Sequence, residues 1–134
     1  MEKQVPESVD EAIGEIVKML NSYDDVMQKY ETEDYFLSHT HHFVGQNIRN
    51  NWFLWWSNNH RSNSWPREKP KLVAAFNDLG IKHADDMSGI ILTSAYRRFK
   101  KIPEDIPAQV QKYKAFWAKN GGKFNSHDDE DESE

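Results

Sequence analysis

The chain has 134 residues and a mass of 15.8 kDa, a length that argues for one domain. Aromatic residues make up 13% of it, so a compact core is feasible and a wholly disordered protein is excluded. The absence of cysteine excludes disulfides, thiolate zinc sites and a cysteine nucleophile. No apolar run approaches the ~20 residues of a membrane span and no secretory signal is visible, so we expect a cytoplasmic protein without a membrane partner.

Acidic residues at the C-terminus account for the net charge. The formal net charge is −5, and residues 128–134 contain six acids, so the rest of the chain carries a net charge of +1. Such a density of like charges cannot pack into a core. Gly121 and Gly122, which precede the acidic residues, are typical of the end of a helix followed by flexible chain. We therefore expect one helical domain over residues 1–122 and a disordered acidic tail over residues 123–134.

Helical patterns dominate the first half of the chain. Ser8 and Glu11 form a capping box before an apolar stripe that predicts a helix to about Leu20, and a second short helix follows around residues 23–30. Thr32 is placed to cap the next amphipathic helix, which ends near Asn51. The buried stripe of that helix is predicted to comprise Phe36, Leu37, Thr40, Phe43, Val44, Asn47 and Ile48.

The helical spacing of apolar residues is lost between residues 52 and 70 and then returns. Pro70 and Gly80 bracket a helix, Asp85 or Asp86 is placed to cap the next one, and a last helix begins near Ile106. No stretch alternates convincingly at period two, so little sheet is expected. The sequence predicts an all-α protein, a compact bundle of five or six helices around an aromatic-rich core.

Two blocks of sequence are distinctive. Residues 49–55 read Arg-Asn-Asn-Trp-Phe-Leu-Trp, and residues 80–92 read Gly-Ile-Lys-His-Ala-Asp-Asp-Met-Ser-Gly-Ile-Ile-Leu. They resemble the signature blocks of a small domain family from bacteria or phages that has no assigned function. The resemblance covers about residues 33–118 and implies a compact helical domain without implying any chemistry. The Asn-rich loop over residues 57–69 and the histidines over residues 39–42 depart from the family pattern.

A surplus of aromatic side chains is the main indication of function. The five bulky residues from Trp52 to Trp56 cannot all face inward from one helix, so Trp56 or Phe53 is a candidate exposed ring, and Trp65 in the polar loop is another. Trp and Arg dominate binding energy at interfaces, which adds Arg61 to this surface. We expect a small protein that binds another protein by occlusion, as a regulator, immunity factor or phage-type inhibitor does, with no catalytic residue and no cofactor.

A metal-dependent enzyme is one alternative. On a helix, His39 and His42 share a face, and a fold that brings His83 and Asp86 close to them would complete a set of metal ligands. Asp85 and Asp86 are explained as well by capping of a helix start. Arg49 is explained as a core residue that pairs with Asp85 or Asp86.

Nucleic-acid binding is the other alternative. Arg49, Arg61, Arg67, Lys69 and Lys71 lie among Trp and Asn residues that could stack on bases. A second basic group occupies residues 97–101. The near-neutral body of the chain and the lack of a nucleic-acid-binding motif weigh against this alternative.

Overall fold

A computed structural model of the chain describes residues 5–57 and 66–119. Within these ranges α3, a π-helical segment and α4 follow one another without a break, so the chain forms six helices and one short 3-10 turn. The elements in chain order are α1 (Val9–Ser22), α2 (Asp24–Met27), α3 (Glu33–Thr40), the π segment (His41–Gly45), α4 (Gln46–Asn51), the 3-10 turn (Leu54–Ser57), α5 (Lys71–Asp78), α6 (Ala84–Phe99) and α7 (Ile106–Lys119).

The predicted fold class is confirmed. The described ranges contain helices and no strand, and their core includes several aromatic side chains. None of these helices is both long enough and apolar enough to cross a bilayer. The acidic tail predicted over residues 123–134 lies outside the described residues, as do Arg61 and Trp65.

Helix α6 is the centre of the fold. It contacts α1, α3, the π segment, α4 and α7, and every residue from Ile90 to Tyr96 is buried. The sequence pattern predicts one buried face for this helix, formed by Met87, Ile90, Ile91, Ser94, Ala95 and Arg98. In the structure Ser88 and Ser94 are completely buried, because their small side chains let the neighbouring helices approach α6 from several sides.

Helix α1 supplies the largest packing surface for α6. Ala12, Ile13, Ile16 and Leu20 form its buried stripe. Ile13, Ile16 and Leu20 belong to the predicted apolar stripe, whose other members, Val9 and Val17, are partly buried. The aromatic part of the core comprises Phe36, Trp52, Phe76 and Tyr96.

The helix ends confirm several predicted signals. Thr32 Oγ1 accepts a hydrogen bond from the Tyr35 backbone N–H and caps α3. Gly80 stops α5 with a φ of 91°, and the backbone N–H of Ile81 donates to the Phe76 carbonyl at 2.9 Å. This Schellman arrangement needs a left-handed residue at Gly80, which glycine adopts without a steric cost.

Two arginines fix the C-terminal end of α6. Arg97 donates to both carboxylate oxygens of Glu33, at 2.7 and 3.0 Å. Arg98 donates to Glu104 at 2.6 and 3.0 Å and to Asp10 at 2.8 Å. These ion pairs join α6 to the first turns of α1 and α3 and to the connection before α7.

The π segment changes which residues of its helix face inward. Phe43 and Asn47, predicted to be buried, are exposed, and Gly45 and Arg49 are buried instead. The reason is geometric: a π turn holds more residues than an α turn and so rotates all the following positions around the axis. The prediction is therefore wrong for Phe43 and Asn47, whereas Val44 and Ile48 pack in the core as predicted.

Two helical glycines provide a matched test of this packing. A Cβ at Gly14 would meet nothing within 4 Å, whereas a Cβ at Gly45 would lie 2.8 Å from Nη1 of the buried Arg49. We expect Gly14→Ala to raise the free energy of unfolding by about 0.5–1 kcal/mol through reduced backbone entropy. We expect Gly45→Ala to lower it by about 1 kcal/mol, because Arg49 must shift away from its hydrogen-bond partner.

Urea unfolding of both variants and the wild type measures these changes. An equal gain in stability for the two variants would contradict the close contact between Gly45 and Arg49.

Candidate functional site

A cleft of about 620 Å³ lies between the α3–π stretch and α7, with α6 as its floor. Its volume falls in the range of ~300–1,000 Å³ that is typical of ligand sites. The lining residues are Asp34, Leu37, Ser38, His41 and His42 from the α3–π stretch, Asp85, Asp86, Gly89, Leu92 and Thr93 from α6, and Tyr113 from α7.

A buried cation supports one side of this cleft. Arg49 is 6% exposed, and its Nη1 donates to Ser88 Oγ at 2.8 Å. Its Nη2 donates to the His41 carbonyl at 3.5 Å, and its Nε lies 3.4 Å from Asp85 Oδ1 without forming a hydrogen bond. Asp85 is thus the ion-pair partner among the two acids proposed from the sequence. Burial lowers the pKa of Arg49, and the charge of Asp85 opposes that shift.

The α6 helix begins at a histidine. His83 Nδ1 accepts a hydrogen bond from the backbone N–H of Asp85 at 3.2 Å, so His83 is the N-cap residue. The prediction that Asp85 or Asp86 caps this helix is wrong, because both carboxylates lie within the first turn. There they still interact favourably with the positive end of the helix dipole.

Asp86 connects α6 to α7. Its Oδ2 accepts a hydrogen bond from Trp117 Nε1 at 2.8 Å, and the Trp117 ring stacks on His83 with centroids 5.9 Å apart. Burial raises the pKa of Asp86, the Trp117 hydrogen bond and His83 lower it, and Asp85 raises it further. Asp86 is therefore a half-buried carboxyl at the wall of the cleft, held by a donor from α7.

Tyr113 forms the α7 side of the cleft. A Cβ at Gly89 would lie 2.7 Å from the Tyr113 hydroxyl oxygen, so the absence of a side chain at Gly89 lets this hydroxyl approach α6. Burial raises the pKa of Tyr113, and the charges of Asp86 and Asp85 raise it further. The phenol consequently stays protonated near neutral pH and presents a hydrogen-bond donor.

His41 lies on the opposite wall. Burial lowers its pKa below the ordinary value of 6.5, and the charges of Arg49 and His42 lower it further against the opposing effect of Asp85. His41 is therefore neutral at neutral pH.

The predicted metal ligands do not form a site. Within residues 5–57 and 66–119, no three His, Asp or Glu side chains stand close enough together to hold a metal ion. His39 packs on Tyr35, with ring centroids 4.3 Å apart, and His42 packs on His41. His83 and Asp86 make the capping and Trp117 contacts described above. His39 and His42 are both exposed.

The predicted partner-binding residues lie in different environments. Trp56 is half-buried against the core and its Nε1 donates to the Pro66 carbonyl at 3.0 Å. Phe53 is half-buried, with a φ of 59°. The sequence prediction missed Phe43, which at 78% is the most exposed large apolar side chain in the described part of the chain. No feature of the sequence signals the π segment that turns Phe43 outward.

The acid–base behaviour of Asp86 gives a test of this geometry. The pKa of Asp86 is higher in the folded state than the ordinary value of 3.8. The folded wild type therefore loses stability as the pH rises from 3.8 toward the folded-state pKa. Asp86→Asn stays neutral and still accepts from Trp117 Nε1. We expect Asp86→Asn to be more stable than the wild type at neutral pH, with an advantage that disappears as the pH falls toward 3.8.

Urea unfolding at intervals between about pH 3 and pH 8 measures this difference, with the exposed Asp78→Asn as the control. An Asp86→Asn profile parallel to that of the wild type would show that Asp86 is not buried as described.

Comparison with known proteins places the chain in a family. Residues 5–99 match a domain of unknown function, DUF6794. No curated protein and no solved structure matches the chain. The matched region differs from the range of 33–118 expected from the sequence blocks: it includes α1, which packs on α6, and it ends with the last residue of α6. Because the match covers most of the chain, the protein belongs to the DUF6794 family of domains of unknown function.

Proposed function

We propose that the protein acts by binding a protein partner, with Phe43 and the adjoining cleft as the contact surface. The observation that carries this proposal is the exposure of Phe43, which is 78% accessible although the same helix buries Phe36 completely. Leaving a phenyl ring in water forgoes about 1.5–3 kcal/mol of burial energy. A partner that covers the ring recovers that energy, which is why exposed aromatic residues are enriched at interfaces.

Further aromatic side chains lie on the outer side of the same helix. Tyr35 is 47% exposed and its ring contacts His39, which is exposed as well. Phe43 is exposed further along the same helix. His42, next to Phe43 in the chain, lines the cleft, so Phe43 follows directly on a residue of the cleft wall.

Occlusion is the mode of action that this surface suits. A rigid helix bundle covers a site on its partner and needs no catalytic residue, as a regulator, immunity factor or phage-type inhibitor does. The resemblance of the sequence blocks supports a bacterial or phage origin, and the lack of cysteine supports a cytoplasmic location. Phe53, Trp56, Arg61 and Trp65 remain a second predicted contact surface, and the acidic tail is proposed to steer association with a basic partner.

Several contacts favour a protein partner over nucleic acid. Arg97 and Arg98 pair with carboxylates, and Arg49 is buried, so these three cations are engaged within the fold. The cleft also presents carboxylates, which repel phosphate.

Truncation of the exposed ring tests the proposal. We expect Phe43→Ala to weaken partner binding at least tenfold, since removal of an interface hot spot costs about 2 kcal/mol or more. The matched control is Ile102→Ala, which truncates a side chain that is 47% exposed just beyond the far end of α6. Partners are captured from the native host with each variant, identified by mass spectrometry, and their affinities are measured with purified protein.

Binding that is equally strong for the wild type and Phe43→Ala would contradict the proposed surface. Binding only to nucleic acid, with an affinity that falls steeply with salt, would contradict the proposed class of partner.

A further inference from the structure

We infer that the cleft receives an arginine side chain of the protein partner. This inference deepens the proposed function and rests on it, because it names the chemical group by which the partner is recognised. The cleft combines an apolar floor with carboxylates along its walls, and an arginine side chain combines an apolar stem with a charged planar head.

The floor of the cleft suits the apolar stem. Leu37 from α3 and Leu92 from α6 line it, and the Tyr113 ring forms its α7 side. Leu37 is half-buried and offers apolar surface, Leu92 is almost completely buried beneath it, and the Tyr113 hydroxyl lies against Gly89. A three-carbon stem placed here would exchange water for apolar contacts on both sides.

The walls of the cleft carry negative charge that the described fold does not neutralise. Asp34, Asp85 and Asp86 line it, and Arg49 pairs with Asp85 only. Neither Asp34 nor Asp86 forms an ion pair with any described residue. Charge complementarity therefore favours a cationic occupant, and the acidic tail of the chain itself is disfavoured by repulsion.

The geometry favours arginine over lysine as that occupant. A guanidinium presents five donors in a plane, so it can bond carboxylates on two walls at once and stack on an aromatic ring. Asp34 lies on the α3 wall, Asp86 lies on the α6 side, and Tyr113 supplies the ring. A lysine ammonium is more strongly hydrated and lacks the planar fork, so it gains less in the same cleft.

The test is a titration of the full chain with short capped peptides, followed by ¹H–¹⁵N NMR. The probes are acetyl-Gly-Arg-Gly-amide, the same peptide with lysine, and the same peptide with citrulline, which keeps the shape of arginine without its charge. We expect the arginine peptide to bind with a Kd on the order of 1 mM and to shift the amide signals of Gly89, Leu92 and Tyr113. The lysine peptide should bind several-fold more weakly and the citrulline peptide at least tenfold more weakly.

Two variants of the cleft and one control assign the binding to this site. Asp34→Asn and Asp86→Asn should each weaken binding of the arginine peptide about three- to tenfold, whereas Asp78→Asn, at an exposed position on α5 outside the cleft, should leave it unchanged. Asp34 is exposed, so its variant tests the acidic wall independently of the change in stability expected for Asp86→Asn.

Three outcomes would overturn the inference: no amide shift at about 20 mM peptide, equal binding of the arginine and citrulline peptides, or shifts that map outside the cleft. These outcomes are separable from a failure of the proposed function. If Phe43→Ala abolishes capture of the partner while the cleft variants change nothing, protein binding stands and the arginine inference is wrong. If Phe43→Ala leaves capture intact, the proposed surface fails whatever the peptides show.

Discussion

Burial of the Arg49 guanidinium is the constraint on which the architecture of this region depends. A cation removed from water is costly unless hydrogen bonds and an opposite charge compensate it. Here Ser88, the His41 carbonyl and Asp85 provide that compensation, and they come from two different helices. The π segment and the lack of a side chain at Gly45 create the space in which the guanidinium lies. The Asp85 side chain is 46% exposed, so only the cation of this pair is buried, and we expect the pair to contribute more to the choice of one helix register than to overall stability.

The cleft follows from this arrangement together with a second set of polar contacts. On one side Arg49 ties the π segment to the first turns of α6. On the other side Trp117 donates to Asp86, and Tyr113 lies against Gly89, which fixes α7. The first three turns of α6 thus hold both walls, and the space between them stays open. The same register that buries Arg49 exposes Phe43, so the cleft and the exposed ring have a common origin.

The elements that were predicted well are those whose signals are local. The apolar stripe of α1 and the stop at Gly80 depend on residues a few positions apart. The π segment was not predictable, because its residues also fit an α-helical stripe and the deciding contact, between Arg49 and Ser88, spans 39 positions. The cap at His83 was missed because imidazole is an uncommon capping group. The cleft also depends on how α6 and α7 pack against each other, and the spacing of apolar residues along the chain does not reveal that packing.

Amide hydrogen exchange of Arg49→Met tests the central claim most directly, because Met fills a comparable volume without the charge. If Arg49 holds the π segment in place, exchange of the amides of residues 41–49 should accelerate at least tenfold, while the buried amides of α1 and α6 keep their protection. Unchanged exchange over residues 41–49, or a uniform acceleration across the whole protein, would contradict the claim that Arg49 sets the register of this helix.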